Sequence, residues 1–446
     1  MNRTYLKVLL LVAWAMLLMP PAYAEDGRTD PGQPIKLLSL DKAVEMALSD
    51  SKTIKEAASR YSGAVEEKKS AFTDFLPKLS ASYSYTRFDD QPYLMFQNMK
   101  IPLVTNDLYH WNLAVVQPIF TGYALSTKYE MAKLNIDLKQ VEKQLAILDV
   151  TRSVKSAYYT VLLTKKALGV ADDAVENLEA HVRDADQFYR HDVIPQNDLL
   201  QSQVALANAR QNRERARAAN EMALSALNML LGVGMNEPTQ IADVTVLSPT
   251  FYSLEQLTAA ALEKRPELRA LRIGLKNADY ATRLAKSAFY PEIALVGSYD
   301  RVGDNMAASN NPYFNDHFAT VTLMAKWHIF EWGKTGDEVR KYGYEKAALH
   351  QKLKQAEDNI ALEVKSAFLN TEVARKNIQT AATALDQARE NYRMTNLQYR
   401  HQLATTTNVL DARTFLSQAM TNYYGALYGC LIAEAELERV AGGSLS

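Results

Sequence analysis

The chain repeats itself over most of its length, and a duplication on this scale limits the fold to architectures built from two like halves. Phe75-Leu76-Pro77 recurs as Phe289-Tyr290-Pro291, and Tyr85-Thr86-Arg87 as Tyr299-Asp300-Arg301, each pair 214 residues apart. Ser39-Leu40 and Ser253-Leu254, at the same offset, each open a helix. Further on, Ile119-Phe120 matches Ile329-Phe330, Val154-Lys155-Ser156-Ala157 matches Val364-Lys365-Ser366-Ala367, and Tyr189-Arg190-His191 matches Tyr399-Arg400-His401, all 210 apart. The change of offset falls between Arg87 and Ile119, so the first copy carries the longer intervening loop. The reading is repeat 1 over 38–245 and repeat 2 over 246–443.

Each copy has one order: helix, two strand-like runs, a very long helix, a break, a return helix. Along Leu79–Thr86 the residues Leu79, Ala81, Tyr83 and Tyr85 alternate with Ser80, Ser82, Ser84 and Thr86, the period of a strand with one apolar face. Strands are expected at about 76–88, 108–120, 290–302 and 318–330. Runs of about ten residues fit the span of a barrel strand in an outer membrane. Trp111, Trp327 and Trp332 lie in or beside these runs, as an interfacial girdle would place them. The segments Phe88–Leu108 and Gly303–His317 read as polar and aromatic loops.

No proline occurs between Pro118 and Pro195 or after Pro312, so two long helices are expected at about 123–189 and 334–399. At a rise of ~1.5 Å per residue each would be about 100 Å long. Ile147, Val154, Val161, Leu168, Val175, Val182 and Tyr189 fall every seventh residue, the period of a coiled-coil seam. Val364, Ile378, Leu385, Tyr392 and Tyr399 repeat it, with Thr371 as an interruption. Return helices are expected at about 196–231 and 405–440, the second with Leu416, Met420, Tyr423, Leu427 and Leu431 on one stripe.

Residues 1–24 read as a secretory signal peptide, with Arg3 and Lys7, an apolar Val8–Met19 core and Ala22-Tyr23-Ala24 before cleavage. An N-terminal extension over 25–37 follows. The net charge of −1 makes no case for a nucleic-acid partner. The single Cys430 excludes an intrachain disulfide framework and any Cys-rich metal site, and its place on the apolar stripe of the last helix reads as core. None of the seven histidines forms a zinc pattern, and no phosphate loop or nucleophile elbow occurs. No catalytic residue, cofactor or metal is therefore assigned. His191 and His401, equivalent by repeat, read as solvated tip residues rather than a metal pair. Asp198 and Asp411 read as acids near helix N-termini, where the macrodipole favours them.

On these strings, together with Gln117-Pro118-Ile119-Phe120-Thr121-Gly122 and Asn408-Val409-Leu410-Asp411-Ala412, the chain resembles the TolC family of bacterial outer-membrane efflux proteins from about Leu38 to Gly443. The resemblance implies a mainly α protein with a membrane β-barrel. In a homotrimer, four strands per protomer would close a 12-stranded barrel, and the α-hairpins would form a periplasmic tunnel. It implies an exit duct of a tripartite efflux or type I secretion system, with a periplasmic adaptor, an inner-membrane pump and outer-membrane lipid as partners. The hairpin tips Asp192, Val193, Ile194, Gln402 and Leu403 would dock the adaptor, and Asp411 with Asn408 would form the periplasmic gate. Asp198 is a possible tip acid. Two departures stand out: Asp192 and Gln402 occupy tip positions that are usually glycine, and Asn408 stands where a second acid is common. The residues alone also leave open a periplasmic α-hairpin adaptor and an enzyme built on helical repeats.

Overall fold

The computed structural model describes residues 37–244 and 252–443. The leader, all but the last residue of the 25–37 extension, and the join between the repeats at 245–246 lie outside them. In each repeat a short helix pair leads to the strands: α1 (Leu40–Asp50) and α2 (Lys52–Thr73), then α5 (Leu254–Lys264) and α6 (Pro266–Lys286). Ser39 and Ser253 cap α1 and α5, each accepting a bond from a backbone N–H of the first turn. The strands are β1 (Lys78–Arg87), β2 (Tyr93–Phe96), β3 (Met99–Pro102), β4 (Asp107–Thr121), β5 (Glu292–Gly303) and β6 (His317–Lys326). The long helices α3 (Ala124–Arg190) and α7 (Lys334–Arg400) have 67 residues each, and the return helices are α4 (Gln196–Leu231) and α8 (Thr406–Val440).

Four strands form one antiparallel sheet in the order β1-β4-β5-β6, so β4 of the first repeat pairs with β5 of the second. The ladder of β6 ends at Lys326 opposite Glu292, where β5 begins. The expected continuation to residue 330 therefore finds no strand to pair with. At the end of β4 a bulge between Pro118 and Phe120 sets Ile119 outside the register, and Pro118 has no N–H to donate. Gly122 then turns the chain into α3 at φ 60°, and a Cβ there would stand 2.4 Å from the Ser287 carbonyl oxygen. Only glycine fits that corner.

The expected loop over Phe88–Leu108 is wrong in part, because β2 and β3 form a separate hairpin within it. Gln97 and Asn98 connect them with φ of 48° and 68°, the two left-handed residues of a type I′ turn. Neither is glycine, so the usual hairpin signal is missing from the sequence.

The main core lies midway along the helices. Val150, Val154, Tyr158 and Leu162 of α3 meet Ala43 and Ala47 of α1, Leu227 and Leu231 of α4, and Leu427, Tyr428 and Leu431 of α8. The Tyr158 hydroxyl lies 2.9 and 2.7 Å from the carbonyls of Leu38 and Ala242, fastening the bridge between Leu38 and Ile241. Arg152–Glu436, Lys155–Glu438 and Arg439–Asp149 pair α3 with α8 around this core. Cys430 is fully buried here, and burial raises its thiol pKa, so it is a packing residue. Thr371, expected to interrupt the α7 seam, is instead buried in it, its hydroxyl donating to the Ala367 carbonyl at 2.9 Å.

Candidate duct, gate and hairpin tips

The register of the sheet sorts its side chains into two unlike faces. One face carries Leu79, Ala81, Tyr83 and Tyr85 of β1, then Val115, Leu113, Trp111 and Tyr109 of β4. Leu295, Gly297 and Tyr299 of β5, with Leu323, Val321 and Ala319 of β6, continue it, and Arg301 and His317 end it at the loop side. The opposite face is mainly polar, with Ser80, Ser82, Ser84 and Thr86, His110 and Asn112, Ser298 and Asp300, Thr320 and Thr322, and it also carries Ala114, Val116, Val296, Phe318 and Met324. Asp300 is buried there, accepting from Asn112 at 2.7 Å and Ser298 at 2.8 Å, with His110 Nε2 2.8 Å away. One apolar face with aromatics and one mainly polar face match a barrel wall between lipid and water.

The aromatics form two bands. Tyr83, Tyr85, Tyr109, Trp111 and Tyr299 lie towards the loop end of the strands, and Tyr85 and Tyr109 stack at 4.8 Å. At the helix end, Phe120, Tyr123 and Tyr290 pack edge to face at 5.4–6.3 Å, and Trp327 donates to the Phe289 carbonyl at 3.1 Å. Trp332, largely exposed, packs edge to face on Phe330 at 5.0 Å. Among the described residues no helix is long and apolar enough to cross a membrane.

At the far end, both helical hairpins turn in the same way. Asp192 and Gln402 adopt φ of 58° and 63°, and the amides of Val193 and Leu403 donate at 2.8 Å to the carbonyls of Phe188 and Gln398. This is a Schellman cap with its left-handed residue supplied by aspartate in one tip and glutamine in the other. Left-handed geometry costs an ordinary L-residue about 1–2 kcal/mol, so Gln402 holds the turn at a cost glycine would avoid. Val193 and Leu403 are exposed at the two apices, and Ile194 is half-buried.

The return helices start differently. Thr405 and Asn408 form a capping box: the Thr405 hydroxyl accepts from the Asn408 amide at 3.3 Å, and Asn408 Oδ1 accepts from the Thr405 amide at 3.0 Å. Pro195 gives α4 no side-chain cap, and Asp198 sits in the first turn of that helix. Asp411 lies beyond the first turn of α8, where the macrodipole fades. The expected helix-start role therefore fits Asp198 but not Asp411. Val409, Ala412, Arg413 and Leu416 face the packed seam, while Asn408, Asp411, Phe415, Gln418 and Asn422 form an exposed stripe on the opposite side. Phe415 is 64% exposed on that stripe, one turn after Asp411. The sequence reading missed it, although its i+4 spacing from Asp411 was visible.

Between the two hairpins near the tips, the packing leaves polar groups without partners. Tyr399 of α7 is 2% exposed, its ring 4.8 Å from His181 and 5.4 Å from Phe188 of α3. Both ring nitrogens of His181 are buried with no hydrogen bond, as are Nε and Nη2 of Arg413, whose guanidinium lies 5.6 Å from the Tyr392 ring. His191 and His401 cap the helix ends in solvent. Among the described residues no cluster of three or more His, Cys, Asp or Glu could hold a metal ion.

Burial lowers the His181 pKa from its ordinary 6.5, and Asp184, itself paired with Arg400, opposes this only partly. The unpacked imidazole takes up a proton near pH 6.5, whereas the packed one resists it. Seam stability is thus fully present above pH 6.5 and falls as the pH drops towards the lowered value. The loss is at most about tenfold per pH unit. Once the intrinsic slowing of exchange at lower pH is divided out, the protection of amides in 178–190 and 392–400 is expected to fall between pH 7.5 and 5.0, and His181→Leu to remove the effect. Protection that stays constant over that range in the unaltered protein would contradict it.

The family described as outer membrane efflux protein matches residues 43–233 and 257–443. Protein CyaE of Bordetella pertussis is 22% identical over 280 residues, covering 62% of this chain. Toxin and drug export protein A of Aggregatibacter actinomycetemcomitans is 19% identical over 407 residues, 86% of each chain. The match spans 58% of the CyaE protein's length. Among solved structures, the CmeC outer membrane channel of Campylobacter jejuni superposes with a TM-score of 0.78 at 16% identity, covering 91% of this chain and 85% of that one. The outer membrane protein VceC of Vibrio cholerae gives 0.76 at 16% identity, over 91% and 97%. At such identities the likeness shows the fold.

Proposed function

The chain belongs to the outer membrane efflux protein family, and from that premise we propose that three copies form an exit duct through the outer membrane. The barrel sits in the bilayer, and the helices reach through the periplasm towards an adaptor and an inner-membrane pump. One observation carries this reading: an amphipathic four-stranded sheet with two open edges, β1 and β6, of ten residues each. Four strands cannot close a barrel, since the smallest known have eight, and open edges in lipid leave backbone groups unpaired. A β6-to-β1 contact repeated by rotation closes a ring, and three copies supply twelve strands.

The repeat supports the same assembly at the helices. Tyr189 is 37% exposed, while its equivalent Tyr399 is buried against His181 and Phe188 of the other hairpin. The positions equivalent to those two, Asn391 and Gln398, lie exposed on α7. A neighbouring copy that presented them to Tyr189 would give all six hairpins of a trimer like surroundings.

In this arrangement the stripe from Asn408 to Asn422 lines the tunnel. Asp411 supplies a ring of three carboxylates at the periplasmic end, and Phe415 an apolar ring one turn above. Asn408, engaged in its capping box, holds the helix start and adds no charge. The tips Asp192–Ile194 and Gln402–Leu403 meet the adaptor, with Val193 and Leu403 as apolar contacts and Asp198 as a polar one at their margin.

Site-directed crosslinking in cells tests the orientation. Cysteines replacing Val193 and Leu403 are expected to crosslink to a periplasmic adaptor identified by mass spectrometry, and a cysteine replacing Met95 is expected not to. The reverse pattern would overturn the topology.

A further inference from the structure

The β2–β3 hairpin lies outside the main sheet and exposes a wholly apolar face. By register Leu94 pairs with Ile101 and Phe96 with Met99, so these four side chains share one side, each at least 43% exposed. Tyr93, Met95, Lys100 and Pro102 share the other, where the Lys100 ammonium lies 4.3 Å from the Tyr93 ring centre. An isolated two-stranded hairpin is marginal in water, and four adjacent bare apolar side chains mark an interaction surface.

Its position says what covers it. Tyr83 stands on the apolar, lipid-directed face of the sheet, and its hydroxyl donates to the Met306 carbonyl at 2.9 Å. The 304–316 loop therefore folds back over that face rather than over the polar one. Arg301, on the same face by register, has its Nε buried. Gln91, just before β2, donates at 3.1 Å to the Tyr313 hydroxyl of this loop and at 2.6 Å to the Val104 carbonyl just after β3. The hairpin is thus tethered to the loop that bonds to Tyr83 on the outward face of the sheet. Met306 and Phe314 of the same loop are also exposed there.

We infer that the β2–β3 hairpin is a membrane-contacting flap whose Leu94, Phe96, Met99 and Ile101 face lies against the acyl chains of the outer leaflet. This rests on the barrel reading above. Lys100, on the opposite side, sits at headgroup level, where a lysine meets anionic phosphate. Aromatic residues at that depth suit the boundary between hydrocarbon and water. Each trimer would carry three such flaps around its rim.

The test uses the full trimer, with Cys430 replaced by alanine, in phosphatidylcholine–phosphatidylglycerol vesicles containing acyl-chain spin-labelled lipid. Bimane is attached through single cysteines at Phe96, Met99, Lys100 or Val321, the last on the outward barrel face. Quenching at Phe96 and Met99 is expected to match that at Val321 and to exceed that at Lys100 by at least about twofold. Quenching at Val321 with none at Phe96 and Met99 would overturn the flap while leaving the barrel standing. So would a disulfide between Phe96→Cys copies, which would place the hairpins together at the three-fold axis. An unquenched Val321 label would refute the barrel and the flap with it.

Discussion

Val321→Arg is expected to remove the trimer from the outer-membrane fraction, whereas Thr320→Arg, one residue away, is expected to leave it assembled. Val321 lies on the apolar face in mid-strand, in register with Gly297 and through it with Val115. An arginine near the bilayer midplane of a barrel costs about 2–4 kcal/mol, and a trimer bears that cost three times. Thr320 lies on the polar face, its hydroxyl 2.9 Å from that of Ser298. An arginine there meets water in the lumen and loses only this bond. Heat-modifiable gel mobility of membrane extracts reads both variants. Loss of the Thr320→Arg protein alone would mean that the faces have been assigned the wrong way round, and equal assembly of the two would mean that Val321 does not face lipid.

The second large effect concerns ion passage. In a planar bilayer the unaltered channel is expected to prefer cations and to be blocked by divalent cations from the periplasmic side, because in the proposed trimer three Asp411 carboxylates would stand near the axis, repel one another and attract counter-ions. Asp411→Ala is expected to abolish most of that preference and relieve the block in an intact trimer. Its place beyond the first turn of α8 makes a purely helix-stabilising role a poor account of it. Asn408→Asp is expected to strengthen the block, since a second ring of charge would stand one turn below the first. Unaltered selectivity and block in an assembled Asp411→Ala trimer would assign the gate elsewhere on the stripe, with Phe415 the next residue to replace.

Much of this architecture is legible in the sequence because two of its elements are strictly periodic. Serine alternating with leucine, alanine and tyrosine over 79–86 sorts the faces of β1 without further information. A 67-residue stretch lacking proline leaves a helix as the simple solution, and the constant offset says that it occurs twice. What escaped depends on contacts between elements. The Gln97-Asn98 turn carries no glycine, so β2 and β3 read as loop. Thr371 reads as a break in the α7 seam, yet its hydroxyl bonds within its own helix and the residue is buried. Seven-residue spacing implies equal burial along α3, but Tyr189 is half open while Val154 is fully enclosed. The buried, unpartnered nitrogens of His181 and Arg413 arise only where α3 meets the second hairpin, a juxtaposition no single segment encodes. Asn408 could be read as a lost acid from the sequence. The reciprocal bonds with Thr405 give it a positive role at the helix start.

In the proposed assembly one protomer is an incomplete wall and three make a duct. The mass of the detergent-extracted particle, by light scattering corrected for bound detergent and with β-structure verified by circular dichroism on the same sample, tests it most directly. A monodisperse trimer is expected. A monodisperse monomer that retains its native β-signal would contradict it.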